Sequence, residues 1–387
     1  MERSHPTSVT GQRGPLTNTG SVHLTQYPVV VSTTSPFFAD FLARGVDQGP
    51  LETDSGIAVF YQGEAESVEV LVMEDRFPPA GEMQQHTDGE TWYLEVPLDR
   101  DGSIEYKLAV TRHGVRHVIL DPTNPERSHA PFGSNSVAQG PDYRAPGWLG
   151  HQHLPRTIRP FPVESEVWRR MKSHLLYLPR GYEPTSTLPL LILHDGPEYV
   201  QYAGLTECLD WLIDSEMIEP MIVLLHRPHA RNSEYVGNPR HTDHLLNEII
   251  PKLRARHQIG RVLAGGASLG AVASLFLAYR NPGTVAGAML QSGSFVSALG
   301  GPFKRGPVLK PVIKALPEVL AHPQHLPPRL VLSCGTYDGL VEDHRELIPR
   351  LLKVHSDVTY DEINSGHHWR CWRDRLEPDL LALFRSA

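Results

Sequence analysis

The sequence is short of three things, and each shortage excludes a class of protein. Among 387 residues there are only three cysteines, Cys208, Cys334 and Cys371, far apart and without C-x-x-C spacing. An odd, scattered set argues against a disulfide framework or a zinc ribbon and for a reducing compartment. No apolar run approaches the roughly 18 residues that a membrane-crossing helix needs. The opening stretch MERSHPTSVTGQRGPLTNTG is polar and lacks the apolar centre of a secretory signal. A cytoplasmic protein with no membrane partner is therefore expected. Positive charge is short as well: the formal net charge is −8, which speaks against a nucleic-acid surface. An anionic ligand would have to meet a local basic patch.

Histidine, in contrast, is abundant, with 21 in the chain. The close pairs, His151-x-His153 and His226-x-x-His229, have no further ligands at metal-site spacing. Neither a metal nor a cofactor is expected.

Length predicts two domains with sizeable cores. Residues 1–34 are rich in Thr, Ser, Gly and Pro without a sustained apolar period, and are expected to be mobile. SVEVLVM (67–73), TWYLEVPL (91–98) and IEYKLAVT (104–111) alternate in polarity and are separated by Gly/Asp/Pro turns. They predict a small immunoglobulin-like β-sandwich over residues 35–150. Its last part, 121–148, is Pro/Gly/Asn-rich and reads as an ordered exit loop. Residues 151–387 then alternate between apolar runs such as LPLLILHDG and MIVLLH and helical stretches such as HTDHLLNEIIPKLRARH. That pattern predicts a mostly parallel sheet covered on both faces, and a nucleophile motif at one of its strand-to-helix turns makes it the α/β-hydrolase class.

Within it, Gly266-Ala267-Ser268-Leu269-Gly270 fits G-x-S-x-G between a strand and a helix. The flanking glycines allow a tight turn that lifts a nucleophilic hydroxyl off the sheet edge. A serine needs a base, and the base needs an acid to orient it. His367, in a glycine loop between the last strand and last helix, is the expected base, with His368 as the alternative. Asp338, just past a buried strand, is the expected acid, with Glu342 or Asp343 as substitutes. The N–H of Leu269 is one expected oxyanion donor, and that of Asp195 or Gly196 the second. The loop HRPHARNSEYVGN (226–238) opens at the same sheet edge. It offers Arg231 for carboxylate, phosphate or phenolate oxygens, or else an Arg231–Glu234 ion pair on a solvated loop.

These stretches resemble the enterochelin esterase family, cytoplasmic hydrolases that open the trilactone of catecholate siderophores. The resemblance spans roughly 36–385 and rests on LDPTNP…GSNSV…PDY..PGW, LLYLPRGY, LHDGPEYV, GGASLGA and LQSGSF. It further rests on Arg231, Glu234 and Asn238, and on His367 followed by Cys371, Trp372 and Arg373. It implies a small-molecule ester substrate, an iron-loaded siderophore among the candidates, with Arg231, Glu234 and Asn238 at the substrate. Trp369 and Trp372 could add flat surfaces there, or be core residues of the last helix. The family usually has Asp where this chain has His368, and often Glu where it has Asp338. The same plan resembles feruloyl or acetyl esterases. A non-catalytic carbohydrate- or partner-binding protein, with Trp92, Tyr93 and Tyr106 as a stacking face, is the third reading.

Overall fold

The computed structural model describes residues 49–78, 80–151, 157–301 and 305–385; the segment expected to be mobile, 1–34, lies outside the described residues. The N-terminal part forms two antiparallel sheets. One runs β1 (Leu51–Thr53), β2 (Gly56–Gln62), β6 (Thr91–Pro97), β5 (Gln84–Gln85). The other runs β4 (Gly81–Glu82), β3 (Ser67–Val72), β7 (Ser103–Arg112), β10 (Gly133–Gln139), β9 (Arg127–Ala130), with β8 (Val115–Ile119) also on β7. Strand alternation turns Val59, Trp92 and Leu94 of the first sheet toward Val70, Tyr106 and Leu108 of the second, in one shared core. Trp92 and Tyr106 are thus core side chains, and Tyr93 is buried with Leu51, Ala58 and Phe60. No sugar-stacking face is made of them.

The stretch expected to be an exit loop is in part a hairpin. β9 and β10 pair through Gly133↔Ala130 to Ser136↔Arg127, and β10 continues onto β7. Its sequence, GSNSVAQ, is mostly small and polar, so no apolar alternation announces a strand; main-chain pairing with β7 holds it there. Farther on, Trp148 is fully buried among Tyr177, Leu191 and Leu205, so the segment leaving the N-terminal sheets is anchored in the second core.

That core surrounds an eight-stranded sheet. Its order is β11 (Thr157–Ser165), β12 (Arg170–Leu178), β14 (Ile222–His226), β13 (Leu188–His194), β15 (Ile259–Ala267), β16 (Val285–Gln291), β17 (Arg329–Gly335), β18 (Val358–Ile363). β11 and β12 are antiparallel to their neighbours, and the other six strands run parallel. The continuous apolar runs are buried on both sides. Leu191, Leu193 and Leu225 pack with Cys208 and Leu380 on one face. Leu190, Ile192 and Leu224 pack with Leu245, Ile249 and Leu253 on the other. The single helix expected over 241–257 is instead interrupted: a π turn, His244–Ile249, joins Pro239–Asp243 to Ile250–Arg254. Pro251 lacks an N–H and crowds the preceding turn, which the wider turn relieves. All three cysteines are buried free thiols. Among the described residues, no helix is long and apolar enough to cross a membrane.

Candidate active site

Parallel strands deliver their carboxyl ends to one edge, and five strand ends build the site there. β15 ends at Ala267, and α4 (Leu269–Arg280, numbering helices from α1, Gly196–Ala203, through α2, Leu205–Asp214, and α3, Arg231–Tyr235) begins at Leu269. Ser268 between them has φ 57° and ψ −119°, a conformation that costs a non-glycine residue about 1–3 kcal/mol and persists only where its surroundings enforce it. The flanking glycines explain how. A Cβ on Gly266 would lie 2.7 Å from the Gly270 carbonyl carbon, and one on Gly270 would lie 3.2 Å from His194 Cβ. The bare Gly266 lets β15 and the helix close on each other, and the bare Gly270 lets the helix lie against the end of β13.

Ser268 Oγ lies 3.1 Å from His367 Nε2, and His367 Nδ1 lies 2.8 Å from Asp338 Oδ2. Asp338 follows β17 and is fully buried, while the His367 side chain keeps 30% of its surface. Burial works against charge on both groups, but the pair outweighs it. His367 is held above the ordinary imidazole value by the Asp338 carboxylate, and Asp338 below the usual carboxylate range by His367 and the Leu340 N–H. The other candidates face elsewhere. Glu342 pairs with Arg76 and Arg345, Asp343 with Arg305, and His368 with Glu74 and Glu105. With Nδ1 as donor to Asp338, His367 Nε2 presents a lone pair to the serine hydroxyl. The arrangement can take the Ser268 proton.

For the oxyanion, Leu269 N–H sits at the first position of α4, where helix donors have no intrahelical partner. The Asp195 N–H is already engaged, donating to Tyr235 Oη at 3.1 Å. Gly196, the first residue of α1, is the freer of the two expected second donors.

A cavity of about 660 Å³ opens over these groups. It is walled by Ser268, His367, Trp369 and Trp372 from the catalytic sheet edge, by Arg227, His229 and Arg231 from the loop after β14, and by Asp195 and Glu198 beside them. The N-terminal sheets supply Met73, Glu105 and Lys107, and the β9–β10 turn supplies Pro131 and Phe132. Phe132 is 99% exposed at the hairpin tip. That the N-terminal sheets wall the cleft is what the family resemblance implies; the part of Phe132 in that wall is not readable from sequence, where an exposed aromatic on a polar hairpin looks like an ordinary turn.

Of the residues expected to meet substrate, three line the cavity and two do not. Arg231 is there, but its guanidinium pairs with Asp195, at 2.8 Å from Nη2, and lies over the Tyr235 ring. Trp369 and Trp372 pack edge to face, and Trp372 also meets His367 edge to face, with centroids 5.2 Å apart. Glu234 is buried away from the cavity. Both its oxygens accept from Lys172 Nζ, at 2.9 and 3.0 Å, and Oε1 also accepts from the N–H groups of His229 and Ala230. It is a staple for the loop, and the expected Arg231–Glu234 pair does not form. Asn238 caps a helix, its Oδ1 accepting from Arg240 N and its Nδ2 donating to Ser233 O.

Chain-distant histidines do come together beneath this loop. His226, Glu234 and His241 offer ligand atoms within 4.8 Å of one another, all buried. His226 Nε2 and His241 Nδ1 have no protein partner. One feature opposes a divalent cation there: the Lys172 ammonium already occupies Glu234.

Comparison with known proteins agrees with this architecture. The Esterase family model matches residues 165–383. The iron(III) enterobactin esterases of Escherichia coli O6:H1 and K12 are each 24% identical over 325 residues, 76% of this chain and 76% of theirs. The enterobactin esterase of Shigella flexneri, solved in the presence of enterobactin, superposes with a TM-score of 0.71 at 18% identity, covering 89% of this chain and 97% of that one. A ferric enterobactin esterase from Salmonella typhimurium gives 0.72 at 18% identity, with 89% and 98% covered. At such identities these structures show the shared fold alone. The matching model spans more than half of the chain, from the end of β11 to the last helix; the protein belongs to the Esterase family and is a hydrolase.

Proposed function

We propose that this chain is an α/β-hydrolase-type serine esterase that opens the ester bonds of a catecholate siderophore lactone, with or without bound iron, in the cytoplasm. The observation that carries the reading is the Ser268–His367–Asp338 relay at the floor of a cavity with both aromatic and basic walls. In this mechanism His367 takes the Ser268 proton as Oγ bonds to the ester carbonyl carbon. The N–H groups of Leu269 and Gly196 receive the oxyanion. The carbon–oxygen bond to the alcohol then breaks, and the alcohol leaves with the proton from His367. Water, deprotonated by the same ring, attacks the acyl group and frees Ser268.

Substrate class follows from the walls. Trp369, Trp372 and Phe132 offer flat apolar surfaces, and Lys107 and Arg227 offer charge to an anionic aromatic ligand. The name and ligand of the Shigella flexneri structure support the same class. We assign residues 35–150 to an immunoglobulin-like sandwich that walls the cleft, and 151–387 to the catalytic domain. A second reading, a feruloyl-type esterase, is favoured by the likeness to a ferulic acid esterase, at a TM-score of 0.50 over 59% of this chain.

The test compares the purified protein with Ser268→Ala on a ferric catecholate trilactone, its metal-free form and a feruloyl ester, with products followed by chromatography. Much the highest kcat/KM on a trilactone, lost in the variant, is the expected result. Turnover of the feruloyl ester alone would remove the siderophore role and leave the hydrolase.

A further inference from the structure

The base loop is clamped to the N-terminal sheets by the residue that follows the expected base. His368, immediately after the expected base, lies between two buried carboxylates. Its Nε2 is 3.3 Å from Glu74 Oε1, just past β3, and its Nδ1 is 3.3 Å from Glu105 Oε1 on β7. Both acids are fixed in turn. Glu74 Oε1 accepts from the Glu105 N–H at 2.6 Å, and Glu105 Oε2 accepts from Asn135 Nδ2 of β10 at 2.6 Å. The contact is close enough that a Cβ on Gly366 would lie 2.5 Å from Glu74 Cγ.

Other bonds tie the same two surfaces. Ser103 N donates to Asn364 O at 2.8 Å, and Asn364 Nδ2 to Asp101 at 2.7 Å. The acid loop is held alike: Tyr337, next to Asp338, donates its hydroxyl to Asp99 at 2.6 Å and packs in the N-terminal core. The loops that carry Asp338 and His367 are thus both seated on the N-terminal sheets.

His368 Nδ1 has two uses that exclude each other. Donating to Glu105 needs a proton there, whereas accepting from the Cys371 N–H, 3.2 Å away, needs a lone pair. Charge-assisted bonds are about twice as strong as neutral ones, so two facing carboxylates decide for the proton. Burial opposes the charge, but Glu105, Glu74 and the more distant Asp374 outweigh it and hold the ring above the ordinary imidazole value.

We infer that His368 is a positioning residue, which bridges Glu74 and Glu105 and thereby fixes the approach of His367 to Ser268. The N-terminal sheets are then a working part of the catalytic apparatus as well as a wall of the cavity. The inference rests on the proposed esterase roles of Ser268 and His367.

The test follows covalent labelling of Ser268 by a fluorophosphonate, which needs no knowledge of the natural substrate. The serine oxygen bonds to phosphorus, fluoride leaves, and His367 takes the proton. Labelling rate and aryl-ester kinetics are measured against pH for wild type, His368→Asn, His368→Arg and the double variant Glu74→Gln/Glu105→Gln. His368→Asn is expected to lose at least about tenfold in labelling rate and kcat with KM within about twofold, because the base is misplaced rather than the substrate. His368→Arg, whose planar fork can reach two carboxylates, should recover much of the loss.

The pH profile separates positioning from bulk structure. His367 is faced by Asp338, Asp75 and Arg231, which all variants keep. Removing the His368 cation leaves Glu74 and Glu105 uncompensated and moves the acid limb to higher pH. Removing the two carboxylates moves it to lower pH. If His368→Asn does not fold, the doubly amidated variant carries the test alone through its opposite shift. Wild-type labelling no faster than that of Ser268→Ala would overturn the esterase reading. Normal wild-type labelling with unchanged rates and limbs in the folded variants would overturn the clamp alone.

Discussion

Arg231 holds the Asp195 carboxylate, with Nε at 2.9 Å and Nη2 at 2.8 Å, and leaves Glu234, three positions along its own short helix, to Lys172. The geometry sorts two acids by burial and reach. Glu234 turns inward, where only the Lys172 stem can follow, and Asp195 stands at the left-handed start of α1, where the cavity-facing guanidinium meets it. Much of the Arg231 charge is thereby matched inside the protein. Attraction of an anionic ligand falls mainly to Arg227 and Lys107.

Arg231→Gln should accordingly act on stability first. It leaves Asp195, only 6% exposed, without its cation. Breaking a fully buried pair costs about 3–5 kcal/mol, and with Arg231 38% exposed a cost of about 1–3 kcal/mol is expected. Adding Asp195→Asn should restore most of the loss. Urea unfolding of both variants checks this; additive losses would show that the two residues are not coupled.

Asp338→Asn should slow turnover by about 10²–10⁴-fold while leaving the fold intact, because the amide cannot hold the His367 imidazolium that forms as Ser268 gives up its proton. The pH dependence has a definite sign. His367 must be neutral to accept that proton, and Asp338 raises its value above 6.5. Activity of the wild type therefore falls as pH drops through a value above that of a free imidazole, and in the variant the residual activity should fall off at lower pH. Rate–pH profiles of the two proteins decide it; superimposable acid limbs would remove Asp338 from the relay.

How much of this was legible depends on whether the informative contact is local. The meeting of Ser268, Asp338 and His367 was legible because each follows the end of a strand, and parallel strands bring such ends to one edge. Glu234 and Asn238 lie at the right spacing from Arg231, but spacing does not say which way a side chain turns. The Glu234 partner is Lys172 on β12, set by how β12 packs beside β14. The Asn238 partner is the helix that it starts. The β9–β10 hairpin stayed hidden because main-chain pairing, and not an apolar period, holds it. The buried histidines were hidden for a related reason. His174, His194, His226 and His241 come from three strands and a helix, and no linear motif records that they meet.

Phe132 tests whether the hairpin meets substrate. Its side chain is 99% exposed, so Phe132→Ala removes no internal packing and should leave the melting temperature unchanged. If an aromatic ester covers the ring when it enters the cavity, the lost contact is about 1–1.5 kcal/mol, or roughly tenfold in KM at unchanged kcat. A short aliphatic ester, too small to reach the hairpin from Ser268, should show no effect. Equal losses on both esters would place the action of Phe132 elsewhere.

The buried histidines make acid the weak side of the fold. Burial holds His174 at about 3 and His194 and His344 at about 4, and pushes His226 and His241 well down, so all five are neutral in the native state. In the unfolded chain each titrates near 6.5. Below that value the unfolded state binds more protons, and stability is lost as pH falls from 6.5 toward 4. His367 and His368, whose values are raised, favour the native state over the same range, but they are two rings against these five, and His244 and His257 are lowered too. A ring depressed to about 4 contributes a loss of about 2 kcal/mol by about pH 5. Urea midpoints at about pH 7 and about pH 5 should therefore separate by several kcal/mol in unfolding free energy. Equal midpoints would mean that these rings bind protons alike in the native and unfolded states, and would remove the buried histidines as the cause of acid sensitivity.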